Sequence, residues 1–207
     1  MDRMSDDIDT ADRLHRQVGF ILEIDKLKLI LRRTLLIDRS RRENDAEHSW
    51  HLAMMAMVLA EYAEPGVDIG RVIRMLLLHD LVEIDAGDTF LYDAVAEADK
   101  EAREQQAAER LFGLLPDGQG DGFRALWDEF EARETADARF ARALDRVQPM
   151  LHNFHTEGGT WREYGVTLDQ VRSRKRLIAD ASPRLWAYVE ALLDEAVRRG
   201  YLAEKRA

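Results

Sequence analysis

Adjacent His79 and Asp80 close the apolar run Met75-Leu76-Leu77-Leu78, and an imidazole beside a carboxylate can ligate a divalent first-row metal. Adjacency alone is weak, because 6 histidines and 22 aspartates in 207 positions give roughly 0.6 His-Asp pairs by chance. Company strengthens it. Glu83 stands one helical turn on, Asp88 follows it, His48 lies upstream in Glu47-His48-Ser49-Trp50, and Asp145 lies downstream in Ala143-Leu144-Asp145-Arg146. Two histidines and two aspartates form a neutral complex with a divalent ion and leave coordination positions for water or substrate. Such a centre polarises a phosphoryl oxygen and acidifies water, and Glu83 is spaced to transfer protons or orient that water. Singly, these residues have ordinary explanations: a core histidine, a helix cap, an ion-pair partner, a solvated glutamate. Their coincidence on or beside core stripes, where unpaired charge is expensive, favours a metal centre.

The elements that must hold these residues are helices. Alanine, leucine, arginine and glutamate dominate, with only 12 Gly and 4 Pro, so the expected fold is all-α and single-domain. Residues 1–10 read as a frayed acidic tail and 11–207 as the domain. A first helix is expected from about Ala11 to Arg33. A polar loop over Asp38–Asp45 follows, with Asn44 or Asp45 as cap of the next helix, which runs to about Ala63. There His48, Leu52, Met55 and Leu59 repeat at helical spacing, so His48 faces the core. Pro65-Gly66 breaks the chain, and Asp68 caps a third helix on which Val72, Leu76, His79 and Glu83 form one stripe.

Gly87-Asp88-Thr89 marks that helix's exit, and Tyr92-Asp93-Ala94 leads into a charged helix from about Ala98 to Leu115. Residues 116–122 read as a turn, Phe123 to about Glu134 as a short helix, and Ala138 to about His155 as a longer one that Pro149 should kink or end early. Gly158-Gly159 is a loop, and helices near Leu168–Ile178 and Pro183–Arg199 close the chain. The apolar face of the last, with Leu185, Trp186, Val189, Leu192 and Leu193, suits either a dimer interface or the core.

A formal charge of −10 argues against nucleic acid or an anionic membrane as partner. The absence of cysteine excludes disulfides, thiolate metal sites and a cysteine nucleophile. No apolar run approaches the roughly 20 residues of a membrane span, and the acidic start Met1-Asp2-Arg3-Met4-Ser5-Asp6-Asp7 does not read as a signal peptide. The expected compartment is the cytoplasm.

The order His48, His79-Asp80, Asp145 resembles the HD-domain phosphohydrolase superfamily. The segments Arg41-Arg42-Glu43-Asn44-Asp45-Ala46-Glu47-His48-Ser49-Trp50-His51 and His79-Asp80-Leu81-Val82-Glu83-Ile84-Asp85-Ala86-Gly87-Asp88-Thr89 are similar to its 5′-deoxynucleotidase subgroup, over about Leu27 to Asn153. The resemblance implies an all-α helical bundle with His48, His79, Asp80 and Asp145 as metal ligands. It makes Glu83 a catalytic carboxylate and Asp88 a second acidic residue near the substrate. Arg33, fifteen residues before His48, matches a phosphate-contacting arginine, and a guanidinium fork suits a phosphate monoester.

One position departs from the pattern: Thr34 stands where several such enzymes carry a tryptophan that disfavours the ribose 2′-hydroxyl, so sugar discrimination should be weak. Members with two metals carry extra histidines between the His-Asp pair and the final Asp, and none lies between Leu81 and Leu144. One divalent ion is therefore expected, drawn from Mn, Co, Fe, Ni and Zn, with Mg also open.

His51 reads as second-layer or structural support for His48, and His152 and His155 as peripheral. The acidic stretch Trp127–Glu131 reads as packing plus solvated carboxylates. The expected partner is a small phosphate ester, foremost a nucleoside 5′-monophosphate, with a homodimer also open. The alternatives are a non-nucleotide phosphomonoester, a small phosphodiester, or a catalytically silent metal- or nucleotide-binding module.

Overall fold

The computed structural model describes residues 3–88, 99–175 and 177–205; Thr89, Tyr92-Asp93-Ala94 and Ala98 lie outside them. Among the described residues it is all-α apart from one small hairpin and an isolated bridge between Thr167 and Ala203. Helix α1 (Arg3–Ile24) leads through a 3-10 turn (Asp25–Leu29) into strand β1 (Leu31–Leu35), which pairs antiparallel with β2 (Arg42–Asn44). Helices α2 (Asp45–Val58), α3 (Ile69–Leu78) and α4 (Glu83–Ala86) follow, then α5 (Lys100–Phe112), α6 (Gln119–Ala132) and α7 (Ala136–His155). The chain closes with α8 (Gly159–Glu163), α9 (Leu168–Lys175), α10 (Leu177–Ala181) and α11 (Pro183–Arg198).

Two expectations at the N-terminal end need correction. The first helix begins at Arg3, well inside the expected tail, since no proline or glycine interrupts residues 1–18. It also ends at Ile24, nine residues early, and the apolar residues beyond it belong to a turn and a strand. Here tertiary pairing overrides helix propensity. Leu31 pairs with Asn44 and Leu35 with Arg42, the reversal passing through Arg39 at φ 63°. Five residues of β1 thus oppose three of β2, an irregularity of the kind that re-aims side chains next to sites.

The helices around the site start where their caps say they should. Asn44 accepts from the Glu47 amide while the Glu47 carboxylate accepts from the Asn44 amide, a reciprocal capping box. Asp68 accepts from the Arg71 amide at the head of α3. Helix α7 does not end at Pro149 but runs on to His155, because Val147 and Met150 on either side are buried in the core. Pro149 has no N–H to give the Asp145 carbonyl four residues back.

Helix α6 starts at Gln119, inside the expected turn. Gly120 makes that start possible, since a Cβ there would stand 2.4 Å from the Phe112 carbonyl oxygen.

Two apolar clusters organise the interior. The larger gathers α2, α3, α7, α10 and α11 around Leu52, Leu76, Phe140, Leu144 and Leu193. The smaller joins α1, α5 and the Leu78–Ala86 segment around Phe20, Val82, Ala108 and Phe112. The final helix turns Leu185, Val189, Leu192 and Leu193 into the core, so that face is not an open interface. Among the described residues, no helix is long and apolar enough to cross a membrane.

Candidate metal centre

His79 and Asp80 sit where α3 stops and the chain enters a tight turn closed by Leu81 N–H to Leu78 O and Glu83 N–H to Asp80 O. In a regular helix, neighbours diverge by about 100°. The break lets both face one centre: His79 Nε2 lies 3.0 Å from Asp80 Oδ1 and 3.9 Å from Asp145 Oδ1. From α2, His48 Nε2 reaches to 3.2 Å from the same Asp145 oxygen and 3.9 Å from Asp80 Oδ2. The four expected ligands therefore converge from three segments, and all are buried. Trp127 steadies the turn by donating from Nε1 to the His79 carbonyl, and Phe130 packs its ring 5.0 Å from the imidazole.

His79 Nδ1 stands 2.8 Å from the Leu76 carbonyl oxygen, so Nδ1 donates and Nε2 carries the lone pair. That Nε2 is buried and, among the described residues, has no hydrogen-bond partner of good geometry. A buried imidazole lone pair facing two carboxylates and a second imidazole fits a cation, and the N/O donor set suits a divalent first-row metal. His48, His79 and Asp145 offer ligand atoms within 4.8 Å of one another.

Burial opposes ionisation of Asp80, but His79, Arg32 and His48 outweigh it and hold the carboxyl below its usual range. Asp145 is likewise held well below, with Arg146, His48 and Arg142 overcoming burial. Burial and Arg32 disfavour a charged His48, yet hydrogen bonds to Asp145 and Glu43 raise its pKa to about 9.

Beside this cluster stands a carboxylate trio, Asp45, Glu83 and Asp88, also within 4.8 Å of one another. Burial, then the neighbouring carboxylates Asp80 and Asp45, push Glu83 well above its ordinary pKa. Burial and Asp80 lift Asp45 to about 7, and Asp88 is raised chiefly by burial. Of the two expected caps, Asn44 and Asp45, it is Asn44 that caps, and Asp45, fully buried, faces the site. Its position three residues before His48 put it on the same helical face, the signal that could have found it.

The arginine at the cluster is Arg32, not the expected Arg33. Arg32 Nη1 lies 2.9 Å from Asp80 Oδ2 and 3.1 Å from Asp45 Oδ1. Arg33 is exposed, with Nη1 3.5 Å from the Tyr164 hydroxyl. Thr34 is buried in β1. The expectation treated this stretch as helix; as a bulged strand it turns adjacent arginines to opposite sides. His152, expected to be peripheral, is buried behind His48, hydrogen-bonded with Gln148 and the Leu35 carbonyl. His51 is partly exposed beside it, at a ring distance of 5.6 Å.

A family model described as an HD domain matches residues 24–186, and the chain belongs to that family. The solved structure of a predicted metal-dependent phosphohydrolase from Magnetospirillum magnetotacticum MS-1 is 66% identical, covers 92% of this chain and 98% of that one, and superposes with a TM-score of 0.88. The chain is also similar to proteins named 5′-deoxynucleotidase HDDC2. The Xenopus laevis protein is 36% identical over 115 residues, 56% of each chain. The Homo sapiens protein is 31% identical over 111 residues, 54% of this chain and 53% of that one. The chain thus spans about half the length of these curated relatives.

Proposed function

We propose that this chain is a metal-dependent phosphohydrolase that cleaves the phosphomonoester of (deoxy)nucleoside 5′-monophosphates to nucleoside and inorganic phosphate. The observation that carries the reading is the buried His79 Nε2, without a hydrogen-bond partner of good geometry among the described residues, facing His48, Asp80 and Asp145 beside a guanidinium and three carboxylates. The names of the HDDC2 relatives support the substrate class.

His48, His79, Asp80 and Asp145 would hold one divalent ion, from the series Mn, Fe, Co, Ni and Zn or Mg. A bound ion supplies Lewis acidity to a phosphoryl oxygen and to water. Arg32, already wedged between Asp80 and Asp45, offers its fork to the phosphate oxygens. This moves to Arg32 the role expected of Arg33. Glu83 accepts a proton as water attacks phosphorus, and the departing ester oxygen takes one from the same carboxylate trio. Asp88 holds the water or a sugar hydroxyl. Thr34 presents no bulky ring against a 2′-hydroxyl, so sugar selectivity is weak.

A homodimer is supported by the exposed stripe Leu14, Val18, Ile21 and Leu22 on α1, and sedimentation of the full chain tests it.

Phosphate release from matched pairs such as dAMP and AMP, with several divalent metals, tests the enzyme reading. The expected outcome is turnover of both, with kcat/KM differing by less than about 100-fold. No release from any nucleotide with any metal would sink the reading.

A further inference from the structure

His48 has a second ring nitrogen, and what lies behind it forms an ordered chain of donors and acceptors. The chain begins at a backbone carbonyl: His152 Nδ1 lies 3.0 Å from the Leu35 oxygen. An oxygen lone pair there requires Nδ1 to donate, which leaves a lone pair on His152 Nε2. Burial, the main influence on this imidazole, lowers its pKa and keeps it neutral.

Gln148 Nε2 stands 3.1 Å from that His152 Nε2, 2.6 Å from Glu43 Oε1 and 3.4 Å from His51 Nδ1. Turned the other way, the amide would set its oxygen against a carboxylate oxygen and an imidazole lone pair. The NH2 group therefore faces inward, and its two hydrogens go to the two nearest acceptors, His152 and Glu43.

Glu43 Oε1 is thus engaged, and Oε2 is left facing His48 Nδ1 at 3.5 Å and Arg32 Nε at 3.8 Å. Each of these three atoms is buried and has no closer hydrogen-bond partner among the described residues. Arg32 Nε–H and a proton on His48 Nδ1 both answer Glu43 Oε2, the His48 nitrogen being the nearer, and with Nδ1 so engaged Nε2 is the atom offered toward Asp145 and His79. His48, Glu43, Gln148 and His152 are all at most 3% exposed, so the sequence of partners has little freedom to rearrange.

We propose that the Leu35 carbonyl, His152, Gln148 and Glu43 form a relay that orients His48 and fixes its tautomer, with Nε2 free to bind the metal. Glu43 and Gln148 are positioning residues; Glu43 acts on two groups at once, His48 and Arg32. The inference rests on reading His48 as a metal ligand. Partners behind a ligating histidine fix its ring and raise its basicity, and their loss typically costs about 10- to 100-fold in metal affinity.

The test is titration of the metal-stripped full chain with Co2+, followed by calorimetry and by the visible absorption band of the bound ion. Glu43→Gln and Gln148→Glu should each weaken binding by about 10- to 100-fold and shift the band. The double variant should recover part of that loss and no more: the amide at 43 accepts from His48 through its oxygen and donates to the carboxylate at 148, but that carboxylate has no hydrogen for His152 Nε2. His152→Asn keeps a donor toward Leu35 but removes the acceptor for Gln148, and should weaken binding independently, while His155→Ala should change nothing.

If the unmodified chain binds no Co2+, the metal-centre reading falls and the relay with it. If it binds one ion and every single variant stays within about threefold, the relay alone is overturned. Two ions per chain, one lost on His152→Asn, would also overturn it, since Glu43, His51 and His152 would then be a second cation site.

Discussion

The candidate ligands ride on helices and the candidate phosphate-binding arginine on a hairpin, and the two regions obey different rules. On α2, α3 and α7 the periodicity of apolar burial fixes which side chains turn inward, so His48, His79 and Asp145 follow from Leu52, Leu76 and Leu144 beside them. On β1 a shift of one residue changes face, and the bulged register against β2 breaks even that alternation. Arg32 thus enters the cluster while its neighbour Arg33 lies in solvent. Helical placement tolerates an error of a residue in the element's end; strand placement does not.

The strongest blow to the helical half is His79→Ala, which removes a ligand. Loss of stoichiometric metal and a fall in turnover by orders of magnitude are expected, measured by elemental analysis and phosphate release. Full activity after exhaustive chelation would refute the centre altogether.

Glu83→Gln comes next. It keeps volume but cannot exchange a proton, and a loss of about 10² to 10⁴ in kcat with metal content unchanged is expected. Turnover equal to the unmodified chain would make Glu83 structural only.

The two arginines give the sharpest contrast between the regions. Arg32→Ala leaves Asp45 and Asp80 without their shared cation, so a drop of about 3 to 5 kcal/mol in stability is expected, together with a raised KM. Arg33→Ala should cost less than about 0.5 kcal/mol and leave KM near its starting value. Equal effects in urea melts and kinetics would remove the distinction between the two sides of β1.

The smallest effect is a pH dependence of the metal-free protein. Asp45 keeps its proton to about 7 when folded, against 3.8 as its ordinary value, so its contribution is lost as pH rises between them. His48, raised from 6.5 to about 9, adds stability that is full below 6.5 and disappears as pH climbs through 9. Melting temperature should therefore fall from about pH 5 to about pH 9, and Asp45→Asn should flatten the acidic half of that slope. Saturating metal should act in the opposite sense, since binding requires deprotonated ligands.

How much of this was legible in the sequence depended on whether local chemistry or long-range pairing decides the position. The caps Asn44 and Asp68 and the burial of His48, His79 and Asp145 could be read from residue type and spacing. The hairpin could not, because Leu29-Ile30-Leu31 fits a helix until Asn44 and Arg42 arrive to pair with the segment beyond it. Asp45 is legible in the sequence only as an alternative cap to Asn44, since a cap and an inward carboxylate use the same residue types. Leu35, the partner of His152, and Glu43, the partner of Gln148, lie far away in sequence, and only the folded chain brings them together.

The turn that carries His79 and Asp80 is also the joint between the two apolar clusters: Leu76 belongs to one, Leu78 and Leu81 to the other. An ion gripped there, with its remaining ligands on α2 and α7, would act as a fastener between halves that could otherwise open separately. Amide exchange in α5, which carries none of the four ligands, should then slow when metal is added, because sub-global opening of the smaller half would have to release the ion first.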